Sequence, residues 1–333
     1  MEERPLVLPA GRSDISPEAR RKAALAASPG DTLPMRVRRE LSPGGRALVV
    51  VKRVWTGAYY DGFIHAGNLA YTAILALFPF FIIVAAIFAA LGESRQNAAS
   101  LHAFLTAVPP VVAQVIEPVA RDVMAARSGW LLWAGGIVGL WTVSSLIETV
   151  RDILHRAYGT PATHAFWRYR LLSTGIVVAA VILLLVSLFL QVAITAAQEV
   201  IAAWFPRLDG WIAMLTTSRL IPGAVLYGSI FAMFVSLTPS AYRGNAYPKW
   251  PGALLVTLWW VLVTIALPTV LRKFTTYNLT YGSLAGVMIA LFFFWLVGLG
   301  MVIGAELNAA LAETPEERDA VGQSDNRARR NRQ

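Results

Sequence analysis

The stretch YGSLAGVMIALFFFWLVGLGMVIGAELNAAL, from Tyr281 to Leu311, decides the fold of this chain. As a helix it is long enough to cross the roughly 30 Å hydrocarbon core of a bilayer, which takes about 20 apolar residues. Two polar residues, Glu306 and Asn308, interrupt it near one end. The stretch therefore predicts an integral membrane protein with a carboxylate close to the end of one span.

Composition supports this prediction. Of the 333 residues, 56% are hydrophobic and 15% are charged, which is typical of apolar spans joined by short loops. The absence of cysteine excludes disulfides, thiolate metal sites and cysteine nucleophiles. The first 45 residues are polar and rich in Arg, Pro and Gly, so we expect no cleavable signal peptide, and the first span serves as the insertion signal.

Hydropathy predicts an all-α, polytopic membrane protein with six transmembrane helices. The predicted spans are 66–92, 130–150, 170–198, 219–238, 252–271 and 283–310, within a membrane domain covering 46–311. The flanking tails, 1–45 and 312–333, are polar and basic, and we expect both to be disordered. Residues 93–129 are too polar to span, but their apolar residues recur at helical spacing on both sides of Pro109-Pro110. They predict two amphipathic helices on the outer surface.

The distribution of Lys and Arg predicts the orientation. Of the 29 basic residues, 22 fall in the two tails and in the connections that lie on the same side. Because positive charge stays on the cytoplasmic side, both termini are predicted to be cytoplasmic. We therefore expect the basic residues behind the net charge of +9 to interact with the anionic head groups of membrane lipids. No nucleic-acid partner is expected.

Several sequence blocks resemble the YihY/BrkB integral membrane proteins, whose older members were mislabelled as ribonuclease BN. The blocks are AYTAILALFP at 70–79, WTVSS at 141–145 with ETVRD at 148–152, YG at 158–159, FWRYRL at 166–171, PGA at 251–253, YNLTYGSLAG at 277–286 and GAELN at 304–308. They occur in the family's order and spacing over about residues 50–311. One departure is VSLTP at 235–239, where the family pattern has a basic residue.

The resemblance implies a six-helix protein of the bacterial inner membrane that is linked to the cell envelope. Some relatives are implicated in lipid or lipopolysaccharide export or in serum resistance. The resemblance implies no established reaction and no substrate.

Ionisable residues inside a membrane are costly and are therefore functional candidates. In the predicted topology one group converges on the inner leaflet: His65, Asn68, Glu148, Arg151, Asp152, Glu306 and Asn308. Glu148 and Arg151 are spaced to share a helix face and to pair. Two interpretations stay open, a structural ion pair near the head groups and a polar cavity that admits a lipid head group, with Arg151 and either Arg168 or Arg170 meeting its phosphate.

A second polar group is predicted at the outer ends of the last three spans. It comprises Arg219, Arg272, Lys273, Tyr277, Asn278 and Tyr281. Such a group can hold a phosphate, but basic residues at a membrane boundary are also ordinary anchors that extend toward water.

Small residues recur four apart at Gly135 and Gly139, at Gly282 and Gly286, and at Gly300 and Gly304. This spacing predicts close helix packing. Pro79 and Pro268 lie within spans, where a proline bends a helix and either sets a static kink or acts as a hinge.

The chemistry of common enzymes is missing. The four histidines have no metal-binding spacing, and no GxxxxGK[ST] loop is present, so neither a nuclease, nor a nucleotide-driven pump, nor any cofactor is predicted. The leading hypothesis is a protein that moves, or helps to move, a lipidic or amphiphilic anion in envelope biogenesis. The alternative is a non-transporting scaffold for envelope assembly. Homo-oligomers and envelope protein partners are both left open.

Overall fold

The computed structural model describes residues 16–26, 43–90, 105, 108–125, 129–161, 167, 170–177, 220–273 and 285–319. These residues form helices and no strand, which confirms the all-α fold class. The helices are α1 (Pro17–Ala26), α2 (Pro43–Gly57), α3 (Phe63–Ala90), α4 (Pro110–Ala125), α5 (Gly129–Tyr158), α6 (described over 170–177), α7 (Leu220–Leu237), α8 (Trp250–Lys273), α9 (Ala285–Leu311) and α10 (315–319).

Three of these helices contain segments that are long and apolar enough to cross a bilayer. They are Phe63–Ile82 in α3, Trp250–Leu271 in α8 and Ala285–Leu311, which is α9. The apolar stretch Gly223–Leu237 in α7 is shorter. Five predicted spans coincide with helices, although α5 continues to Tyr158, beyond the predicted end at residue 150. The third predicted span, 170–198, is described only to residue 177, so the total of six spans stays a prediction.

Local sequence explains where several helices begin and end. Ser16 caps α1, since its Oγ accepts a hydrogen bond from the backbone N–H of Ala19 at 3.3 Å. At the C-terminal end of α5, Gly159 adopts φ +69°. Its N–H and that of Thr160 donate hydrogen bonds to carbonyl oxygens of the last turn of the helix. This is a Schellman ending, which favours glycine because the left-handed conformation crowds a Cβ.

Helices α2 and α3 form one continuous rod. Between them, Ala58–Gly62 is a π-helical turn, and the residues flanking it keep right-handed helical backbone angles. Short π-helical turns inside α-helices often occur at functional sites. The rod therefore carries the chain directly from α2 into the apolar part of α3.

Helix α9 is the centre of the bundle. It contacts α2, α3, α4, α5 and α8, and residues such as Phe293, Ala305 and Asn308 on it are buried. Helix α4 buries Val112, Ile116 and Ala120 against this bundle, as its amphipathic pattern predicts. The first of the two predicted amphipathic helices lies outside the described residues.

Small residues set the distance between neighbouring helices. A methyl group on Gly139 of α5 would lie 3.2 Å from the carbonyl oxygen of Pro79, and one on Gly304 would lie 2.9 Å from the carbonyl oxygen of Gly252. These close approaches confirm the predicted packing role of Gly139 and Gly304. The end of the bundle at which Gly57, Gly159, Tyr242 and Leu311 lie is called the terminal end below.

Part of each tail differs from the predicted disorder. Residues 17–26 and 315–319 are helical, and α2 begins at Pro43. The reason is that Pro17 and Arg20 are buried against the terminal end, and this burial stabilises a helix too short to be stable alone. Residues 1–15, 27–42 and 320–333 lie outside the described residues.

Candidate functional site

The contacts between helices fix the depth of Glu148. Gly139 of α5 lies against Pro79 of α3, and nine residues further along α5 comes Glu148. Because the two helices run antiparallel, Glu148 is level with residues 69–70 of α3. Ala66 in turn lies against Gly298, the middle residue of α9. At 1.5 Å per residue, Glu148 is about 5 Å from the level of the middle of α9.

This depth differs from the expectation drawn from the sequence. The hydropathy map places Glu148 at the end of a span, near the head groups. The register of α5 against α3 places it close to the middle of the bundle. An ionisable group at that depth is costly, so it needs a partner.

The partner of Glu148 is Arg170. Glu148 Oε2 lies 3.0 Å from Arg170 Nη1, and the Arg170 side chain is only 7% exposed. The same nitrogen donates to Ser145 Oγ at 2.9 Å, and Nη2 donates to the carbonyl oxygen of Trp141 at 2.6 Å. The guanidinium carbon lies 3.7 Å from the centre of the Trp141 ring. The ion pair therefore joins α5 to α6.

The pair is incompletely satisfied. Arg170 Nε and Glu148 Oε1 are both buried, and neither has a hydrogen-bond partner in the part of the chain that the structure describes. Buried polar atoms are nearly always hydrogen-bonded, so two unused atoms on one ion pair need an explanation. One is that a ligand or water supplies the missing bonds.

Hydroxyl groups extend the ion pair of Glu148 and Arg170 into a polar strip between α5 and α6. The Ser144 and Thr174 oxygens are 3.1 Å apart, and Ser144 also donates to the carbonyl oxygen of Leu140 at 2.6 Å. Ser173 is fully buried, and its Oγ has no hydrogen-bond partner among the described residues. The strip consists of one cation, one carboxylate and several hydroxyls, which is a donor-rich surface suited to an oxyanion.

Asn308 has a structural task at the terminal end. Its side chain is 1% exposed, and its Oδ1 accepts a hydrogen bond from the backbone N–H of Gly252 at 2.8 Å. Its Nδ2 donates to the carbonyl oxygen of Lys249 at 3.1 Å. Asn308 of α9 therefore caps the first turn of α8 from a neighbouring helix, satisfying a donor that a helix start leaves unpaired.

Other members of the predicted inner-leaflet group lie on separate elements. The Glu306 carboxylate lies against Gly57, where an added methyl group would come within 2.7 Å of its Oε1. Asp152 is exposed and pairs with Arg156 one turn away, at 2.8 Å. Asn68 is exposed on α3.

Two further residues of that group are His65 and Arg151. His65 is half-buried on α3, and the Arg151 side chain is buried on α5. Each has interactions of its own. The geometry thus gives Glu148 and Asn308 different partners, Arg170 for the one and the start of α8 for the other.

Two basic residues of the connection between α7 and α8, Arg243 and Lys249, bind backbone carbonyl groups. Arg243 Nη2 donates to the carbonyl oxygens of Ser236 at 2.8 Å and Thr238 at 3.1 Å, near the end of α7. Lys249 Nζ donates to the carbonyl oxygens of Arg243 and Gly244 at 2.7 and 2.6 Å. Burial lowers the pKa of the Lys249 ammonium, and the neighbouring Arg243 lowers it further. In the sequence, the signal for this role is a basic residue close after the end of a helix, where a cation interacts favourably with the helix dipole.

The predicted outer group lies largely beyond what the structure describes. Arg219, Tyr277, Asn278 and Tyr281 are outside the described residues, and Arg272 and Lys273 are described only as the last backbone residues of α8. Among the described residues, no cluster of His, Asp or Glu could hold a metal ion.

The all-helical fold, with three helices long and apolar enough to cross a bilayer, fits a polytopic membrane protein. The family model described as Virulence factor BrkB matches residues 60–329, and the chain belongs to this family. This is a family of membrane proteins and not a known enzyme family.

The chain is also similar to several curated proteins, named either as UPF0761 membrane proteins or as ribonuclease-like. The ribonuclease-like protein YfkH of Bacillus subtilis is 25% identical over 252 residues, covering 76% of this chain and 90% of the relative. A UPF0761 membrane protein of Alteromonas mediterranea is 26% identical over 266 residues, covering 77% and 85%. One of Aromatoleum aromaticum is 26% identical over 250 residues, but the match covers only 59% of that longer relative. No solved structure matches the chain.

Proposed function

We propose that this protein moves, or helps to move, a lipidic or amphiphilic anion across the membrane, and that Arg170 receives the anionic group. The observation that supports the proposal is the ion pair between Arg170 and Glu148. It lies close to the middle of the bundle, and one atom of each partner lacks a hydrogen bond among the described residues.

The chemistry of the pair suits exchange of partners. A guanidinium donates charge-assisted N–H bonds to phosphate oxygens, so a phosphate oxygen could accept from the free Nε or could replace Glu148 at Nη1. Glu148 would hold the guanidinium in place between ligands, which lowers the cost of keeping it in the membrane. The orientation of the guanidinium would be fixed by the Trp141 ring, by Ser145 and by the hydroxyl pair of Ser144 and Thr174.

The exposed faces near the pair suit an acyl chain. Trp141 is 51% exposed and Trp167 is 66% exposed, and their rings lie 6.5 Å apart in an edge-on arrangement. Leu171 and Leu172, which follow Arg170 on α6, are also exposed. A phospholipid could therefore place its head group at Arg170 while its chains stay against an apolar surface.

The test is reconstitution of the full chain in liposomes that contain a fluorescent phospholipid, with an added quencher reporting lipid that reaches the outer leaflet. We expect protein-dependent translocation, and a fall of at least about 10-fold in Arg170→Gln, the size of a lost charge-assisted contact of about 1.5–3 kcal/mol. Glu148→Gln should bind the anion more tightly but release it more slowly, and so should also reduce the rate.

Asp152→Asn provides the matched control. It removes the carboxylate of another ion pair on α5, but this pair is exposed, with side chains 52% and 48% exposed, and it joins residues of the same helix. Its rate should stay within twofold of the parent. Translocation that is unchanged in Arg170→Gln would reject the site. No translocation by the parent protein, together with recovery of defined envelope partners, would favour the scaffold alternative.

A further inference from the structure

Helix α1 makes contacts to three separate parts of the terminal end. Ser16 lies directly against Gly159 at the end of α5, where its Cβ would be 2.7 Å from any methyl group on the glycine. Glu18 Oε2 accepts a hydrogen bond from the Tyr242 hydroxyl, in the α7–α8 connection, at 2.8 Å. Arg20 reaches the end of α9.

Arg20 makes the deepest of these contacts. Its side chain is 6% exposed, and its Nη2 donates to the carbonyl oxygens of Ala312 at 2.6 Å and Ala309 at 3.2 Å. Its Nη1 lies 3.5 Å from Glu317 Oε1 on α10. The last carbonyls of a helix carry partial negative charge, so a cation there stabilises the end of α9.

The docking of Arg20 also has a cost. Burial lowers the pKa of its guanidinium to about 10, so the group stays charged at neutral pH while shielded from water. Its Nε and Nη1 have no hydrogen-bond partner among the described residues. A ten-residue helix is too short to persist in water, so α1 is helical only while it is docked. Docking and helix formation of α1 are therefore coupled.

We propose that α1 is a strap that closes the terminal end by docking Arg20 at the end of α9, and that its release lets α5, the α7–α8 connection and α9 separate there. The strap lies outside residues 60–329, which match the family model. This inference does not depend on the proposed function.

Hydrogen exchange of the full chain in lipid nanodiscs, followed by mass spectrometry, tests the strap. Arg20→Ala should speed amide exchange in 17–26 by at least 10-fold, and should also speed it in 155–161, 240–247 and 309–319. Peptides from α4 should not change. Arg21→Ala is the matched control, because the Arg21 side chain is 39% exposed and makes surface pairs with Glu18 and Glu316. It should change exchange less than twofold.

Three results would overturn the proposal. Exchange in Arg20→Ala could equal that of the parent, in which case Arg20 does not hold α1. The increase could be confined to 17–26, in which case α1 is an appendage and closes nothing. It could extend equally to α4, in which case Arg20 contributes to general stability. Arg20→Lys, which keeps the charge but loses the forked geometry, should give intermediate exchange at all three contact regions.

Discussion

Replacing Asn308 with Ala tests whether α9 caps α8. The Asn308 side chain is fully buried and makes two hydrogen bonds, to the N–H of Gly252 and to the carbonyl oxygen of Lys249. Truncation to Ala removes both bonds and leaves the buried Gly252 N–H without an acceptor, while the Lys249 carbonyl oxygen keeps a hydrogen bond from the Ala253 N–H at 3.3 Å. We expect the loss to be felt at the start of α8 and not elsewhere in the bundle.

The magnitude follows from those two groups. If each bond were worth only the average seen inside membrane proteins, about 0.6 kcal/mol, the loss would be about 1.2 kcal/mol. An unsatisfied buried group costs about 1–3 kcal/mol, and this cost, added to that of the other lost bond, sets the upper limit of the expected loss in unfolding free energy. Since the Gly252 N–H lies at a packed helix contact that excludes water, and one further bond is lost, we expect about 1.5–3.5 kcal/mol, or roughly 3–7 °C in the apparent midpoint of thermal unfolding.

The assay is intrinsic tryptophan fluorescence during heating in detergent, for which the 11 tryptophans provide a strong signal. Asn68→Ala is the matched control, because Asn68 is an exposed asparagine on α3. It should stay within about 0.5 kcal/mol of the parent. If Asn308→Ala were as stable as Asn68→Ala, the Asn308 side chain would not stabilise the start of α8.

Three further predictions concern packing and charge. Gly252→Ala would place a methyl group 2.6 Å from the Asn308 side-chain carbon, so we expect a destabilisation of about 1–3 kcal/mol, measured by the same unfolding assay. Arg121→Ala breaks an exposed pair with Glu117 on α4 and should cost less than about 1 kcal/mol in that assay. Burial raises the pKa of the Tyr242 hydroxyl, and Glu18 raises it further. Its stabilising contribution is therefore present below the ordinary tyrosine pKa of about 10 and is lost as pH rises above it. The unfolding midpoint should fall more steeply above pH 10 in the parent than in Tyr242→Phe, and equal slopes would contradict this.

Sequence reasoning predicted the helices well where hydrophobicity dominates. The spans at 252–271 and 283–310 coincide with α8 and α9 because long uncharged runs have one stable form in a bilayer. It also predicted the role of Gly139 and Gly304, since small residues at four-residue spacing permit close approach of helices. These features depend on local composition alone.

The partners of polar residues could not be predicted in the same way. Glu148 was assigned to Arg151 on its own helix, because spacing along one helix is visible in a sequence. Its ion pair with Arg170 depends on how α5 and α6 pack, which spacing does not show. Helix α1 was missed for a related reason, because its burial depends on carbonyl groups of α9, and every residue has one.

Depth decides how the two carboxylates should be interpreted. Glu306 first drew attention because it interrupts the most apolar span, but it lies near the end of α9, against Gly57 of α2. There a carboxylate is within reach of water and needs no function. Glu148 looked like the ordinary end of a span, because α5 is longer than a bilayer requires and hydropathy cannot locate its middle. The contact of Gly139 with Pro79 locates it and places the ion pair deep in the bundle. Arg170 is therefore the residue whose replacement most directly separates transport from scaffolding.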